Sequence, residues 1–157
     1  YSIFLRNPPK KTHFDAIVSL EHLVHLPRSQ WQTYLAKLHS LLRPQGKLLL
    51  QTFMRQGKWP DSLSSLFFSG GFIPAEGDLI TLFHNNGFSL QNTFSMASSY
   101  EKTLSYWISR IESQQTYLTS HGYSVFDVRS FILLFSLLKA GLQTKYIGAY
   151  QFTLTKH

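Results

Sequence analysis

Residues 14–53 read FDAIVSLEHLVHLPRSQWQTYLAKLHSLLRPQGKLLLQTF, and their pattern is strand, loop, helix, tight turn, strand. Ala16-Ile17-Val18 is a short apolar run with β-branched members, as expected of a buried parallel strand. Leu35, Leu38, Leu41 and Leu42 recur at helical spacing and give that helix one apolar face. Arg43-Pro44-Gln45-Gly46 stops it, because Pro44 cannot continue the ladder and Gly46 tolerates a positive φ in a sharp reversal. Lys47 to Phe53 resumes as a second buried strand. A strand, a covering helix and a second strand predict a right-handed βαβ unit in a parallel sheet.

The rest of the composition narrows the class. A chain of 157 residues with 43% hydrophobic content is long enough for one core and ordinary for a globular protein. No apolar run reaches the length of a membrane span, and 130–142 is interrupted by Ser136 and Lys139. Tyr1 opens the chain without the pattern of a signal peptide. The absence of cysteine excludes disulfides, thiolate metal sites and a cysteine nucleophile, and fits a cytoplasmic location. A net charge of +7 suits an anionic membrane surface, a nucleic acid or an acidic protein. The basic residues are scattered, with only Lys10-Lys11 adjacent, which argues for plain solubility over a nucleic-acid stripe. Nothing in the sequence specifies an oligomer.

Outside the central unit, Tyr1 to Asn7 reads as a strand ending at Pro8-Pro9. A parallel sheet opening so abruptly would expose its edge, so an N-terminal half is expected to precede it. No G-x-G turn, the phosphate- and cofactor-approaching loop of such sheets, occurs. The nearest glycine cluster, Ser69-Gly70-Gly71, follows an aromatic segment instead. The loop 19–27 lies at the carboxyl end of a strand, where open sheets bind their ligands, and it holds Glu21, His22 and His25. H-x-x-H is not the usual helical metal pair, and loop capping or a substrate-side role are the other readings. Residues 56–66 form a polar, serine-rich cover. Asp78 to Phe83 reads as a helix capped at Asn85-Asn86-Gly87, and Phe88 to Ser95 as a strand. A helix capped by Ser98 or Ser99 runs toward Tyr117 and breaks at His121-Gly122. Asp127 to Leu138 is a further helix, and Tyr146 to Thr153 the closing antiparallel strand.

These motifs carry a resemblance. F-D-x-I-V-S, a helix, L-x-P-x-G and an apolar strand are similar to the second half of class I S-adenosylmethionine-dependent methyltransferases. Phe68-Ser69-Gly70-Gly71-Phe72-Ile73-Pro74, the Y-x-x-T-L-x-x-W of Tyr100, Thr103, Leu104 and Trp107, and the terminal Gln151-Phe152 fall in the order of the cyclopropane-fatty-acid and mycolic-acid synthase family. The resemblance implies an α/β fold, the C-terminal part of a Rossmann-like methyltransferase. It implies a mostly parallel sheet with an antiparallel last strand, and a helical substrate-side lid over 56–76 and 98–140. Residues 1–157 would then be one partial domain.

In that family a sulfonium methyl is transferred to an acyl double bond, and a bicarbonate held by Glu, His and Tyr takes a proton. An anionic base beside a developing cation is sensible chemistry. Carried over, the Tyr is Tyr100 and the His becomes Gln51, which donates but bears no charge. Without gaps, the family's E-H falls on Val24-His25 and the carboxylate is lost. Shifted by three residues, it falls on Glu21-His22 and the carboxylate returns. The ungapped version is the simpler, and it makes bicarbonate doubtful. Candidate catalytic residues are therefore His25, Tyr100, Gln51 and Glu21, with no metal. Asn7 and Ser19 stand where the cofactor's adenosine would lie, with most of the S-adenosylmethionine site upstream. Phe67, Phe68, Gly70, Gly71, Phe72 and Trp107 would line an acyl tunnel, although core packing explains the aromatics and Tyr100 as well.

The resemblance implies a methyltransferase acting on an acyl lipid or phospholipid, cytoplasmic and touching the inner face of the membrane, with this stretch inactive alone. The alternatives are a degenerate binding protein of the same fold, a family member with a different small-molecule acceptor, and, from charge alone, an RNA-modifying relative.

Overall fold

The computed structural model describes residues 13–57, 60, 62, 68 and 71–157. Four strands form one sheet in the order β1-β2-β4-β3: β1 (Phe14–Leu20), β2 (Leu42–Arg55), β3 (Phe88–Ser95) and β4 (Ile147–Lys156). β1 pairs parallel with β2, and β4 runs antiparallel to both β2 and β3. Three strands therefore point one way and the last alone reverses, as a mostly parallel sheet with an antiparallel closing strand requires. The helices are α1 (Trp31–Leu41), α2 (Glu76–Asn85), α3 (Ala97–Ser113), α4 (Gln115–Ser120) and α5 (Val125–Gln143).

Alternation along the strands sorts the core into two layers. On one face Leu48, Leu50, Phe152, Leu154 and Phe88 pack against Leu35 and Leu38 of α1 and Leu79 and Phe83 of α2. On the other, Phe53, Ile147 and Ala149 pack against Leu104 of α3 and Leu138 and Leu142 of α5. Lys156 fixes the end of α1, since its ammonium donates to the carbonyls of His39 and Leu42 at 2.8 Å each. A cation there offsets the negative end of the helix. No helix among the described residues is long and apolar enough to cross a membrane.

Several local expectations shift. β1 is not buried on both faces: Val18 is 60% and Leu20 58% exposed, because α1 covers only the Ile17 and Ser19 side. At the turn after α1 the positive φ falls on Gln45 (62°) and not on Gly46. Gly46 is needed for space, since a Cβ there would lie 2.8 Å from the Arg43 carbonyl. The helix cap expected at Ser98 or Ser99 is Met96, which offers no side-chain cap. α5 begins earlier than Asp127, because Ser124 and Asp127 form a capping box, and it runs on through Gly141 to Gln143. The strand read over 1–7 and most of the cover over 56–66 lie outside the described residues.

Candidate active site

The site begins where β1 ends. Leu20 pairs with Gln51 of β2, and the next residue, Glu21, turns with φ 56° while its N–H donates to the Gln51 carbonyl at 2.9 Å. That left-handed step is uncommon for a non-glycine residue, and it brings the carboxylate to the Gln51 side chain. Gln51 stands directly opposite Gln151 of β4. Tyr100 descends from the first turn of α3, with its N–H bonded to the Met96 carbonyl and its ring edge-on to Phe53 at 5.2 Å.

These four side chains form one hydrogen-bonded group. Tyr100 donates its hydroxyl to Glu21 Oε1 at 2.7 Å. The Gln51 amide nitrogen donates to Tyr100 at 2.7 Å and to the same Glu21 oxygen at 3.1 Å. Gln151 Nε2 donates to Gln51 Oε1 at 3.0 Å, which fixes the direction of the Gln51 amide. Both amide hydrogens of Gln51 and the phenolic hydrogen of Tyr100 are thereby used. Glu21 Oε2 is buried and accepts no hydrogen bond from any described group. Burial first, and then the hydrogen bond and charge of Glu21, hold the Tyr100 phenol well above its ordinary range. The group thus offers a fixed carboxylate whose open oxygen is an acceptor. Such an oxygen suits a cation or a departing proton, and so it fits a sulfonium or a cationic reaction centre.

The other expected residues land elsewhere. His25 is exposed, edge-on to Phe68 at 5.4 Å, and does not join the group. Val24 is fully buried in the second core layer, and the carboxylate beside Tyr100 is that of Glu21. His22, whose titration burial pushes down, packs on the Tyr34 ring at 5.1 Å. The Ser19 hydroxyl is spent on Tyr34 at 2.6 Å, on the α1 side of the sheet. Phe68 is a core residue against Phe53, and Phe72 packs on Trp31 beneath the Arg55 guanidinium. Gly71 meets the loop backbone: Phe72 N–H donates to the Val24 carbonyl, and a Cβ at Gly71 would lie 1.8 Å from that oxygen. Trp107 is 44% exposed and stacks obliquely on Phe135. Asn7, Phe67 and Gly70 lie outside the described residues. Gln151 was legible only as the end of a motif, and its signal was being the lone amide in an apolar strand opposite another.

Comparison with known proteins bears on the fold and the family. The family profile described as mycolic acid cyclopropane synthetase matches residues 7–152. The tuberculostearic acid methyltransferase UfaA1 of Mycobacterium tuberculosis is 24% identical over 151 residues, covering 91% of this chain and 35% of that protein. The cyclopropane synthase MmaA2 of Mycobacterium tuberculosis superposes with a TM-score of 0.83 at 22% identity, over 92% of this chain and 56% of that one. A mycolic acid cyclopropane synthase CmaA1 complexed with SAH and CTAB gives 0.83 at 21% identity, over the same 92% and 56%. The chain therefore spans about a third of the curated relative and just over half of the solved ones, with the sheet of a class I methyltransferase. It belongs to the mycolic acid cyclopropane synthetase family.

Proposed function

We propose that the chain forms the substrate-side part of an S-adenosylmethionine-dependent methyltransferase acting on an unsaturated acyl chain. The observation that carries this is the Glu21–Gln51–Tyr100 group at the carboxyl end of β1, joined to the first turn of α3, which packs against α5. When bound, S-adenosylmethionine supplies an electrophilic methyl group. The chain's own residues do the rest: Glu21 faces the positive charge, Tyr100 and Gln51 hold its carboxylate, and the helical pair excludes water.

An apolar acceptor is favoured by the lid itself. α5 carries an open groove of about 430 Å³ lined by Phe126, Phe131, Leu133, Leu134 and Leu137, with Asp127 and Ser130 as its polar members. Phe131, Phe135 and Trp107 continue it as a line of touching rings toward α3. The CTAB-bound relative and the lipid named for UfaA1 support the same class of acceptor. The +7 charge favours approach to an anionic phospholipid surface at the inner face of the membrane.

The test is transfer of labelled methyl from S-adenosylmethionine to vesicles of unsaturated phosphatidylglycerol, paired with calorimetric titration of the methyl donor. Both are run on this chain and on the product of any longer reading frame containing it. We expect binding and transfer from the longer protein only. A longer protein that binds the donor but methylates no unsaturated acyl chain would point to another acceptor, and one that does not bind it would point to a non-catalytic role.

A further inference from the structure

The donor hydrogens around Glu21 are already committed, and this bears on which group takes the proton when the reaction ends. An anion such as bicarbonate needs hydrogen-bond donors or positive charge. Here the two Gln51 amide hydrogens go to Tyr100 and Glu21, and the Tyr100 hydroxyl hydrogen goes to Glu21. The position that would supply a cation is the neutral Gln51, and Gln151 locks its amide oxygen away from the site. Among the described residues, no positive charge joins this group to offset the repulsion between a second anion and the Glu21 carboxylate. The arrangement does not fit bound bicarbonate, although the family resemblance implies one.

We propose that Glu21 is itself the proton acceptor, through Oε2, and that Gln151 is a positioning residue that acts through Gln51. Oε2 is the buried oxygen of the group with no partner among the described residues. Oε1, by contrast, accepts from both Tyr100 and Gln51, so the carboxylate is oriented and one oxygen stays open. Resting on the acyl reading above, the step is a proton transfer from the cation left after methyl addition from the sulfonium donor. Either a C–H bond of the transferred methyl breaks and its electron pair bonds to the cationic carbon to close a ring, or a C–H bond on the carbon next to the cation breaks and its pair forms a double bond. An O–H bond forms at Oε2, converting the carboxylate to the acid, which then returns the proton to solvent.

Two measurements test this separately from the acyl reading. The first is titration of the longer, donor-binding protein with ¹³C-bicarbonate followed by carbon NMR. We expect no saturable binding into the tens of millimolar, and saturable binding lost in E21Q would overturn the inference. The second uses the longer, donor-binding protein in carbon-dioxide-depleted buffer. The rate is expected to be unchanged by added bicarbonate and to fall on the order of 10²-fold in E21Q with the donor's Kd preserved. A rate that collapses on depletion and recovers with bicarbonate, or an E21Q variant of full activity, would overturn it. Q151L is expected to lower kcat several-fold with little change in KM, and to regain most of it as Q151N only if the shorter amide reaches Gln51. A Q151L rate equal to wild type removes the positioning role. Should no acyl methylation occur under any condition, the acyl reading fails and the proton-acceptor role of Glu21 is overturned with it, while the titration still decides whether the site takes bicarbonate.

Discussion

Tyr100 and Glu21 are 79 residues apart in sequence, yet the phenol donates to the carboxylate at 2.7 Å. The contact joins the first turn of α3 to the carboxyl end of β1, and it makes the Tyr100 phenol hard to ionise. Burial is the larger cause and the neighbouring carboxylate the next. A raised folded-state value means the folded protein keeps its proton longer than the unfolded chain does. The corresponding stability is whole below the ordinary tyrosine range near pH 10 and is lost as pH rises through the folded value. Urea midpoints measured from pH 9 upward are expected to fall above pH 10, with a shallower fall in Y100F. Equal slopes in both proteins would refute the assignment.

The same substitution removes a partly buried donor without opening much space. Y100F is expected to cost about 1–3 kcal/mol near neutral pH, because Glu21 loses a partner while remaining partly enclosed. Chemical denaturation of the wild type and variant checks this.

Gly71 is expected to be intolerant for reasons of packing and not of ligand contact. A Cβ would lie 1.8 Å from the Val24 carbonyl oxygen, which is backbone and cannot swing aside. G71A should therefore detach the segment from the loop that carries Glu21, at a cost of roughly 2 kcal/mol or more. Faster amide exchange at Phe72, whose N–H bonds that carbonyl, is the accompanying sign. An unchanged melting temperature would contradict the contact.

Leu104 is 1% exposed and ties α3 to the second core layer. L104A should cost about 2–5 kcal/mol through a cavity the lid cannot close. Trp107, one turn on and 44% exposed, should cost clearly less on truncation to leucine. Thermal unfolding of the two variants ranks them.

His39 predicts the acid limb. Burial, followed by the nearby Lys156 charge, pushes its titration down. The folded state resists the proton that the unfolded chain accepts, so the related stability is present above pH 6.5 and lost as pH falls below it. H39Q should flatten the decline between pH 6.5 and 5 in denaturation midpoints. A decline of the same steepness would assign it to other groups.

Much of the fold was legible in the residues themselves. The β3 boundaries, the Gly87 turn (φ 73°) and the parallel pairing around α1 follow from alternation, positive-φ tolerance and helical spacing. These are short-range properties, fixed by which side chains sit two or three to four positions apart. The motifs Tyr100-x-x-Thr103-Leu104 and Gln151-Phe152 were equally plain, and they carried the family.

The register of the loop after β1 was not. An ungapped reading put the carboxylate's place on Val24; in the structure Val24 packs into the core and the left-handed turn at Glu21 brings its carboxylate to Tyr100. A loop has no periodicity to fix its register, so tertiary contacts must. The exposure of Val18 and Leu20 is of the same kind, since a strand's sequence states that it can be covered on both faces and not that it is. The partnership of Gln51 with Gln151 needed the antiparallel pairing of β2 and β4 across 100 residues. Sequence alone determined the elements and the family. The group at the end of β1 was decided by which side chains the sheet register and α3 brought within hydrogen-bonding reach, a matter of distances that no local pattern encodes.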